Sequence, residues 1–298
     1  MFSEGVLRQE LQPFILAALA NVAALRSPTS LCKGAQKSMR RAVLLLAIMA
    51  LAILLAGGVA QAIINGEPDK GPNAHPYVGA YVAKLEGKRH SVCSGTLISP
   101  KVFLTAGHCT QVEIKKNRPA YVSFDPTYKP GASKIIKGTP YIHPKACIGF
   151  KGGCPRYDAG VVVLKEPVRM ATYGALPKAG LVNTLKEGQR LTPVGYGATG
   201  IEINGNLVYP EDRYRTTVRL LNTKDPAVGR MFAKTTGVSL IKGKGGGPCK
   251  GDSGGPLFLP NQQTIVGVLS SELRRCREPA YYQRVDLPGI LKWVRSFP

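Results

Sequence analysis

The segment GDSGGP, Gly251–Pro256, places a serine between glycines in a G-x-S-x-G pattern. A serine hydroxyl is a poor nucleophile at neutral pH, so it needs a general base that accepts its proton. In the nucleophile elbow of α/β-hydrolases, the partner histidine follows the serine along the chain. Here all four histidines precede Ser253: His75, His90, His108 and His143. An esterase of the α/β-hydrolase type is therefore excluded.

Two segments ahead of the serine supply a base and an acid. His108 lies in FLTAGHCT, at the end of an apolar run, and Asp158 lies in YDAGVVVL, directly before a buried-strand pattern. A histidine in this role accepts the serine proton and later donates it to the leaving amine. The aspartate holds the imidazole in one tautomer and stabilises the imidazolium. The order His108, Asp158, Ser253 is that of a chymotrypsin-type triad. We expect His75 and His143 to be structural and His90 to be exposed.

Four motifs together resemble the trypsin/chymotrypsin family of serine proteases: LTAGHC, YDAGVVVL, CKGDSGGP and IINGEP. Weaker matches are CSGTLIS (Cys93–Ser99), PVGYG (Pro193–Gly197) and the region around Trp293. The resemblance covers essentially all of Ile63–Pro298. It implies a serine endopeptidase that hydrolyses peptide bonds through an acyl-enzyme on Ser253 and needs no cofactor. We expect no metal site, since histidines are few and disulfides explain the cysteines better.

The resemblance also implies roles around the triad. The oxyanion donors would be the backbone N–H groups of Gly251 and Ser253, and Ser270 in GVLSS would hydrogen-bond the buried aspartate. Two disulfides of the family correspond to Cys93–Cys109 and Cys249–Cys276, which leaves Cys147 with Cys154. An even number of cysteines after Ala62 fits an exported chain with three disulfides in an oxidising compartment.

The primary substrate pocket is placed by the same resemblance around six residues: Gly247, Pro248, Lys250, Ser271, Glu272 and Ala280. Trypsin has a carboxylate at the pocket base, where this chain has Gly247. Gly247 and Ala280 would leave an apolar pocket with room for a large side chain. Glu272 would either block the pocket mouth or bind a basic side chain, and Lys250 would favour acidic flanking residues. The primary specificity stays open between these alternatives.

The N-terminal region has the organisation of a secretory signal. Met39-Arg40-Arg41 is basic, residues 42–60 carry no charged or polar side chain, and Ala60-Gln61-Ala62 is a small-x-small cleavage motif. We therefore interpret residues 39–62 as a signal peptide. Residues 1–38 are interpreted as a mis-annotated upstream extension, with a genuine long leader as the alternative. Because the apolar run of 19 residues approaches the ~20 that span a bilayer, a retained membrane anchor is a second alternative.

The signal ends directly before the IINGEP motif. In the family, a newly made amino terminus folds inward and pairs with the aspartate just before the catalytic serine, which corresponds here to Ile63 and Asp252. Most relatives carry a propeptide ending in Arg or Lys at this point, whereas this chain has Ala62. The hypothesis is that signal cleavage itself liberates Ile63, with no protease-activated zymogen stage.

Short apolar runs separated by Gly, Pro, Asn and Asp predict an all-β chain, as a barrel or a sandwich. Only LPGILKWVRSF has helical spacing, with apolar residues at i, i+3, i+4 and i+7. The resemblance narrows this prediction to two packed six-stranded Greek-key β-barrels, over residues 63–178 and 179–298, the second followed by a C-terminal α-helix.

The charge sets the expected partners. Residues 63–298 keep 34 basic and 16 acidic side chains, a net charge of +18. Such a charge steers acidic substrates or binds polyanions and anionic surfaces, or serves solubility alone. No basic motif interleaved with aromatic residues indicates specific nucleic-acid binding.

We expect a secreted monomer, extracellular or periplasmic, that acts on proteins or peptides and leaves the membrane after signal cleavage. The rival is a catalytically silent cationic binding protein on the same fold; such proteins usually lack triad residues, and this chain keeps all three.

Overall fold

The computed structural model describes residues 63–298 except 72–73, 86, 149–154, 202–205, 210, 227, 238–245, 273–275 and 277–278. The signal peptide and upstream extension predicted over residues 1–62 lie outside the described residues. The described residues from Ile63 to Pro298 form one compact unit. Among the described residues of this unit, no helix has the length and apolar character needed to cross a bilayer.

The first half of the described chain builds a closed barrel. A short strand, β1 (Glu67–Pro68), comes first. The six strands of the barrel follow it: β2 (Val78–Leu85), β3 (Lys88–Ser99), β4 (Val102–Thr105), β5 (Ala120–Ser123), β6 (Ile136–Ile142) and β7 (Gly160–Leu164). They pair in the order β2-β3-β4-β7-β6-β5, and β5 closes the barrel by pairing with β2. Four of the short apolar runs in the sequence, YVGAYVAKL, GTLISPKVFLTAG, AYVSF and AGVVVLKEPV, contribute to β2 to β5 and β7.

The second half builds a second barrel. Its strands and their short neighbours are β8 (Arg190–Gly195), β9 (Gly200–Ile201), β10 (Leu207–Val208), β11 (Tyr214–Arg215), β12 (Val218–Asn222), β13 (Phe232–Thr235), β14 (Pro256–Phe258), β15 (Ile265–Glu272) and β16 (Ala280–Arg284). Six of them pair in the order β8-β12-β13-β16-β15-β14, and β14 returns to β8. The fold is therefore two closed six-stranded antiparallel barrels, as predicted.

The chain ends are exchanged between the two barrels. β1 pairs with β11, and β11 pairs in turn with β8 of the second barrel. The C-terminal helix α2 (Pro288–Val294) buries Ile290, Leu291 and Val294 in the apolar cluster that also holds β4 and β7 of the first barrel. Proline at the first position of this helix suits its start, because that position needs no N–H donor. The predicted C-terminal helix is thus confirmed, and it packs mainly on the first barrel.

A second α-helix, which the sequence analysis did not predict, follows β4. This helix, α1 (Gly107–Lys115), contains the predicted catalytic histidine. The burial of its side chains is the reverse of what their polarity predicts, because Glu113 is buried while Val112 and Ile114 are 47% and 37% exposed. The buried Glu113 carboxylate accepts a hydrogen bond from the Tyr81 hydroxyl at 3.0 Å. A helix that buries a charged group and exposes branched apolar ones lacks the periodicity on which sequence prediction depends.

Buried polar contacts join the two barrels. Arg213, before β11, is buried and donates from Nε to Asp69 Oδ2 at 2.7 Å. The same carboxylate accepts from the backbone N–H of His75 and lies 2.8 Å from its Nδ1. A buried charge is retained when it is paired and hydrogen-bonded, and Asp69 has both kinds of partner. His75 therefore has a structural contact, in line with the expectation for it.

Candidate active site

His108 and Asp158 meet where the first barrel faces the second. His108 is the second residue of α1, directly after β4, and Asp158 precedes β7, the strand next to β4. The backbone N–H of His108 donates to Asp158 Oδ1 at 2.8 Å, and His108 Nδ1 lies 2.8 Å from Asp158 Oδ2. Because the two contacts use both carboxylate oxygens, they fix the orientation of the imidazole ring. This leaves Nε2 as the nitrogen free for proton transfer.

Two side chains of the second barrel make further contacts with Asp158. Ser270, on β15, donates from Oγ to Asp158 Oδ2 at 2.6 Å. The Asp158 N–H donates to Gln283 Oε1, on β16, at 3.0 Å. Asp158 is 2% exposed, so the donors of Ser270 and His108 replace the water that the carboxylate loses on burial, while Gln283 satisfies the backbone N–H. The aspartate is thus held by residues of both barrels.

The electrostatics of the pair favour an ionised aspartate. Burial alone would raise the pKa of Asp158, but the hydrogen bonds and charge of His108 and the Ser270 hydroxyl outweigh it and lower that pKa. Burial lowers the pKa of His108, while the hydrogen bond and charge of Asp158, with a smaller contribution from Glu272, raise it above its ordinary value. The site is therefore built to stabilise an imidazolium.

Ser253 lies in the turn that leads into β14. Its carbonyl accepts from the Ser94 N–H at 2.8 Å, and the N–H of the next residue, Gly254, donates to Leu269 O at 2.7 Å. Ser253 and His108 line one cavity of about 390 Å³ together with seven other residues: Val92, Cys93, Lys250, Gly251, Ser270, Ser271 and Glu272. A hydroxyl and an imidazole thus open into the same cleft.

Backbone contacts hold the predicted oxyanion loop. Gly251 has a φ of +97°, and a Cβ there would lie 2.8 Å from the Cα of Gly197, so only glycine fits. The Lys250 carbonyl accepts from the Ala198 N–H at 2.8 Å. In a trans peptide the N–H points opposite to the carbonyl. The Gly251 N–H, which shares that peptide plane, therefore points away from Ala198.

Asp252, next in the chain, is buried without a cation among its described contacts. It accepts from the Gly197 N–H at 2.8 Å and from the Cys249 N–H at 2.9 Å. Burial raises the pKa of Asp252 to about 7; the two backbone donors oppose this, and the Glu272 charge adds to it.

The predicted amino-terminal residue is inserted near this loop. Ile63 is completely buried, and Ile64 forms a β-bridge with Gly247, whose N–H donates to Ile64 O at 3.1 Å. The segment that begins at Ile63 therefore enters the protein beside one residue of the predicted substrate pocket.

Two of the three expected disulfides are present among the described residues. Cys93–Cys109 joins β3 to α1, and Cys249–Cys276 joins the loop before Ser253 to the β15–β16 connection. Cys147 is disulfide-bonded, while Cys154, its expected partner, lies outside the described residues. Cys93, Cys109 and His108 have ligand atoms within 4.8 Å of one another, but the disulfide leaves no thiolate for a metal.

Of the six predicted pocket residues, three line the catalytic cavity: Lys250, Ser271 and Glu272. Ala280 is buried and pairs with Glu272 across β15 and β16. Gly247 and Pro248 are buried beside the inserted N-terminal segment. Burial raises the pKa of Glu272, while its own backbone N–H and the charges of His108 and Lys250 oppose this. The neighbouring segments 238–245 and 273–275 lie outside the described residues.

Two residues with contacts at the site were missed by the sequence analysis. Gln283 lies in AYYQR, where nothing distinguishes it from other strand residues. Ser94 lies in CSGTLIS, a segment noted for its resemblance, and its hydroxyl contacts both Tyr196 and Gly251. His90 is exposed, and His143 stacks on Tyr157 with ring centroids 4.8 Å apart, outside the catalytic cavity.

Known proteins are similar to this chain in sequence and in fold. The family model described as Trypsin matches residues 64–294. The chain is 29% identical to chymotrypsin of Phaedon cochleariae over 240 residues, covering 78% of this chain and 81% of the relative. It is 28% identical to granzyme M of Rattus norvegicus, covering 78% of this chain and 88% of the relative. Among solved structures, HL collagenase aligns with a TM-score of 0.60 at 20% identity, covering 78% of this chain and 97% of the other. Human heparin binding protein aligns with a TM-score of 0.58 at 20% identity, covering 79% and 98%.

Proposed function

We propose that this chain, which belongs to the trypsin family, is a secreted serine endopeptidase that hydrolyses peptide bonds through an acyl-enzyme on Ser253. The observation that carries the proposal is the two-point contact of Asp158 with His108, in a cavity that Ser253 also lines. An imidazole that is held in one tautomer and opens into the same cavity as a serine is an arrangement that can activate the serine.

The proposed reaction has two halves. Ser253 Oγ attacks the scissile carbonyl carbon while His108 Nε2 takes its proton, and the Gly251 and Ser253 N–H groups stabilise the resulting oxyanion. The tetrahedral intermediate collapses, the C–N bond breaks, and His108 gives its proton to the leaving amine. Water then attacks the acyl-enzyme with His108 again as base, releasing the acid and the free serine. Asp158 stays ionised throughout, as its lowered pKa favours.

In this proposal, the enzyme becomes active when Ile63 becomes the amino terminus. Signal cleavage after Ala62 frees the Ile63 ammonium, which pairs with Asp252. The pKa of about 7 for Asp252 supports this step, because a buried carboxyl that lacks a cation is destabilised as an anion. N-terminal sequencing of the exported protein tests it: a start at Gln61 or earlier contradicts release by signal cleavage.

The finer organisation belongs to the same proposal. Residues 39–62 are the signal peptide, residues 63–178 and 179–298 carry the two barrels, and the product is an exported monomer that acts on proteins or peptides. The disulfides and the trypsin-family membership support an oxidising, extracellular or periplasmic location. Specificity depends on Glu272 and Lys250, which bring opposite charges to one cavity. A peptide-library cleavage profile tests whether basic, acidic or large apolar side chains are preferred.

The decisive experiment is labelling with a serine-directed phosphonate. The protein is expressed from the full sequence, purified after export, and compared with Ser253→Ala. We expect the wild type to gain one phosphonyl group on Ser253 and to cleave casein, and the variant to do neither while unfolding at the same temperature. A folded wild type that begins at Ile63 and never reacts contradicts the endopeptidase.

One observation favours a second function. The net charge of +18 over residues 63–298 and the fold shared with human heparin binding protein support a cationic protein that binds polyanions or anionic surfaces, without sequence-specific nucleic-acid binding. Retention on a heparin column, compared with retention on a sulfonate column of equal charge density, tests this function. Retention above that of the sulfonate column, with no phosphonate labelling, identifies a binding protein.

A further inference from the structure

We propose that Ser94 is a positioning residue for the oxyanion hole, whose hydroxyl holds the Gly251 carbonyl and thereby keeps the Gly251 and Ser253 N–H groups in a fixed relative position. The inference rests on the proposed function. Ser94 lies on β3 of the first barrel and is completely buried. It therefore acts on the loop of the second barrel from across the boundary between the barrels.

The Ser94 hydroxyl uses both its donor and an acceptor site. Its Oγ donates to Gly251 O at 3.0 Å and accepts from the Tyr196 N–H at 2.9 Å. The accepted bond orients the hydroxyl, so its proton is aimed at the Gly251 carbonyl. Tyr196 is itself held by its own hydroxyl, which donates to Asp125 O at 2.7 Å. Ser94 thus transmits a fixed position from Tyr196 to Gly251.

The backbone of Ser94 holds the other proposed oxyanion residue. The Ser94 N–H donates to Ser253 O at 2.8 Å, and Ser94 O accepts from Thr105 Oγ1 at 2.7 Å. One residue therefore contacts both Gly251 and Ser253. Its backbone would hold the loop whatever the side chain at position 94, whereas only a hydroxyl reaches Gly251 O.

Gly251 needs such a restraint because glycine restricts its own backbone least. The Ala198 N–H holds the peptide before Gly251 through Lys250 O, and the Ser94 hydroxyl holds the peptide after it. Without the second contact, the partly buried Gly251 carbonyl loses its partner, and rotation about the Cα–C bond of Gly251 lets it seek another. That rotation would move the peptide that lies between the two proposed donors, and so change the position of the Ser253 N–H relative to the Gly251 N–H.

The test compares Ser94→Ala with Ser123→Ala. Ser123, on β5, is also completely buried, and its Oγ accepts only the local Asp125 N–H at 3.4 Å among the described contacts. Both proteins are expressed from the full sequence and purified after export, with the Ile63 terminus verified. We expect S94A to lower kcat about fivefold with KM changed less than twofold, since a hydrogen bond is worth about 1 kcal/mol and about 1.4 kcal/mol is tenfold in rate. S123A should keep the wild-type kcat.

Inhibitors separate positioning from a general loss of structure. A peptide aldehyde forms a hemiacetal with Ser253 whose oxygen takes the oxyanion position, whereas the matching peptide alcohol forms no adduct. We expect S94A to weaken aldehyde binding about as much as it lowers kcat and to leave alcohol binding unchanged. Ser94→Gly, which also removes the hydroxyl, replaces S94A if that variant does not fold. A wild-type kcat in S94A and in Ser94→Gly, or equal losses of aldehyde and alcohol binding, overturns the role of Ser94 and leaves the proposed function standing. A wild-type protein that does not react with the phosphonate overturns the proposed function as well.

Discussion

The titration of Asp252 makes the free energy of unfolding depend on pH. Blocking the amino group of Ile63 should reverse the direction of that dependence. The perturbation is a form of the protein that keeps Gln61 and Ala62 ahead of Ile63, so that position 63 carries a peptide N–H in place of an ammonium. Asp252 then keeps the surroundings seen in the structure, with two backbone donors and a pKa of about 7. In the form that begins at Ile63, the ammonium should lower this pKa below the ordinary value.

The magnitude follows from linkage. A carboxyl with a pKa of about 7 in the folded protein and 3.8 when unfolded binds more protons folded, so stability falls as pH rises between these values. Since a tenfold change in proton affinity is about 1.4 kcal/mol, the loss approaches 4 kcal/mol above pH 7. With the ammonium present the sign reverses: the carboxylate stabilises the fold above its unfolded pKa, and that contribution is lost as pH falls.

The assay is urea unfolding from pH 4 to pH 8 of the two forms, each with and without Asp252→Asn. A Ser253→Ala background prevents self-digestion. We expect the blocked form to lose about 4 kcal/mol of unfolding free energy over this range relative to its D252N partner, and the free form to lose none. Parallel pH curves for the two forms would refute the pairing of Ile63 with Asp252.

Three further predictions concern the triad and its supports. Asp158→Asn should lower kcat about 10⁴-fold in peptide hydrolysis, as expected when the imidazole loses its tautomer control; a loss under tenfold argues against the triad. Glu272→Gln should move the acidic limb of the plot of kcat/KM against pH to lower pH, because the Glu272 charge helps to raise the pKa of His108. A limb that stays in place would show that Glu272 does not affect the pKa of His108. Replacing Cys93 and Cys109, 16 residues apart, together by Ser should lower the unfolding free energy in urea by about 3 kcal/mol, and unchanged stability would show that the bridge does not restrict the unfolded chain.

Motifs and alternation account for most of what the sequence predicted. LTAGHC and GDSGGP mark local turns in which particular residues are needed, so His108 and Ser253 could be singled out without coordinates. Strands such as β7, with GVVVL, are apolar runs of the right length. The family resemblance then supplied what no local pattern could, that the two halves each close into a barrel.

The missed features have polar residues where a pattern search expects apolar ones. Helix α1 buries Glu113, and β16 buries Gln283 and Arg284. Arg284 donates from Nε to Asp286 Oδ1 at 2.9 Å, a contact that only the fold reveals. β6 contains Pro140, which removes a ladder donor and weakens the strand signal. Ser94 was missed for a similar reason, because its partners lie about 100 and 157 residues further along the chain.

The exchange of chain ends between the barrels has a mechanical consequence. β1 precedes the first barrel yet adds to the sheet of the second, while α2 follows the second barrel yet buries its apolar side chains in a cluster with β4 and β7 of the first. Pulling the halves apart must strip a strand from one and a helix from the other at once. A single nick in the connection between β7 and β8 would therefore leave two fragments that stay interlocked, so the cleft between them could survive damage that severs the polypeptide.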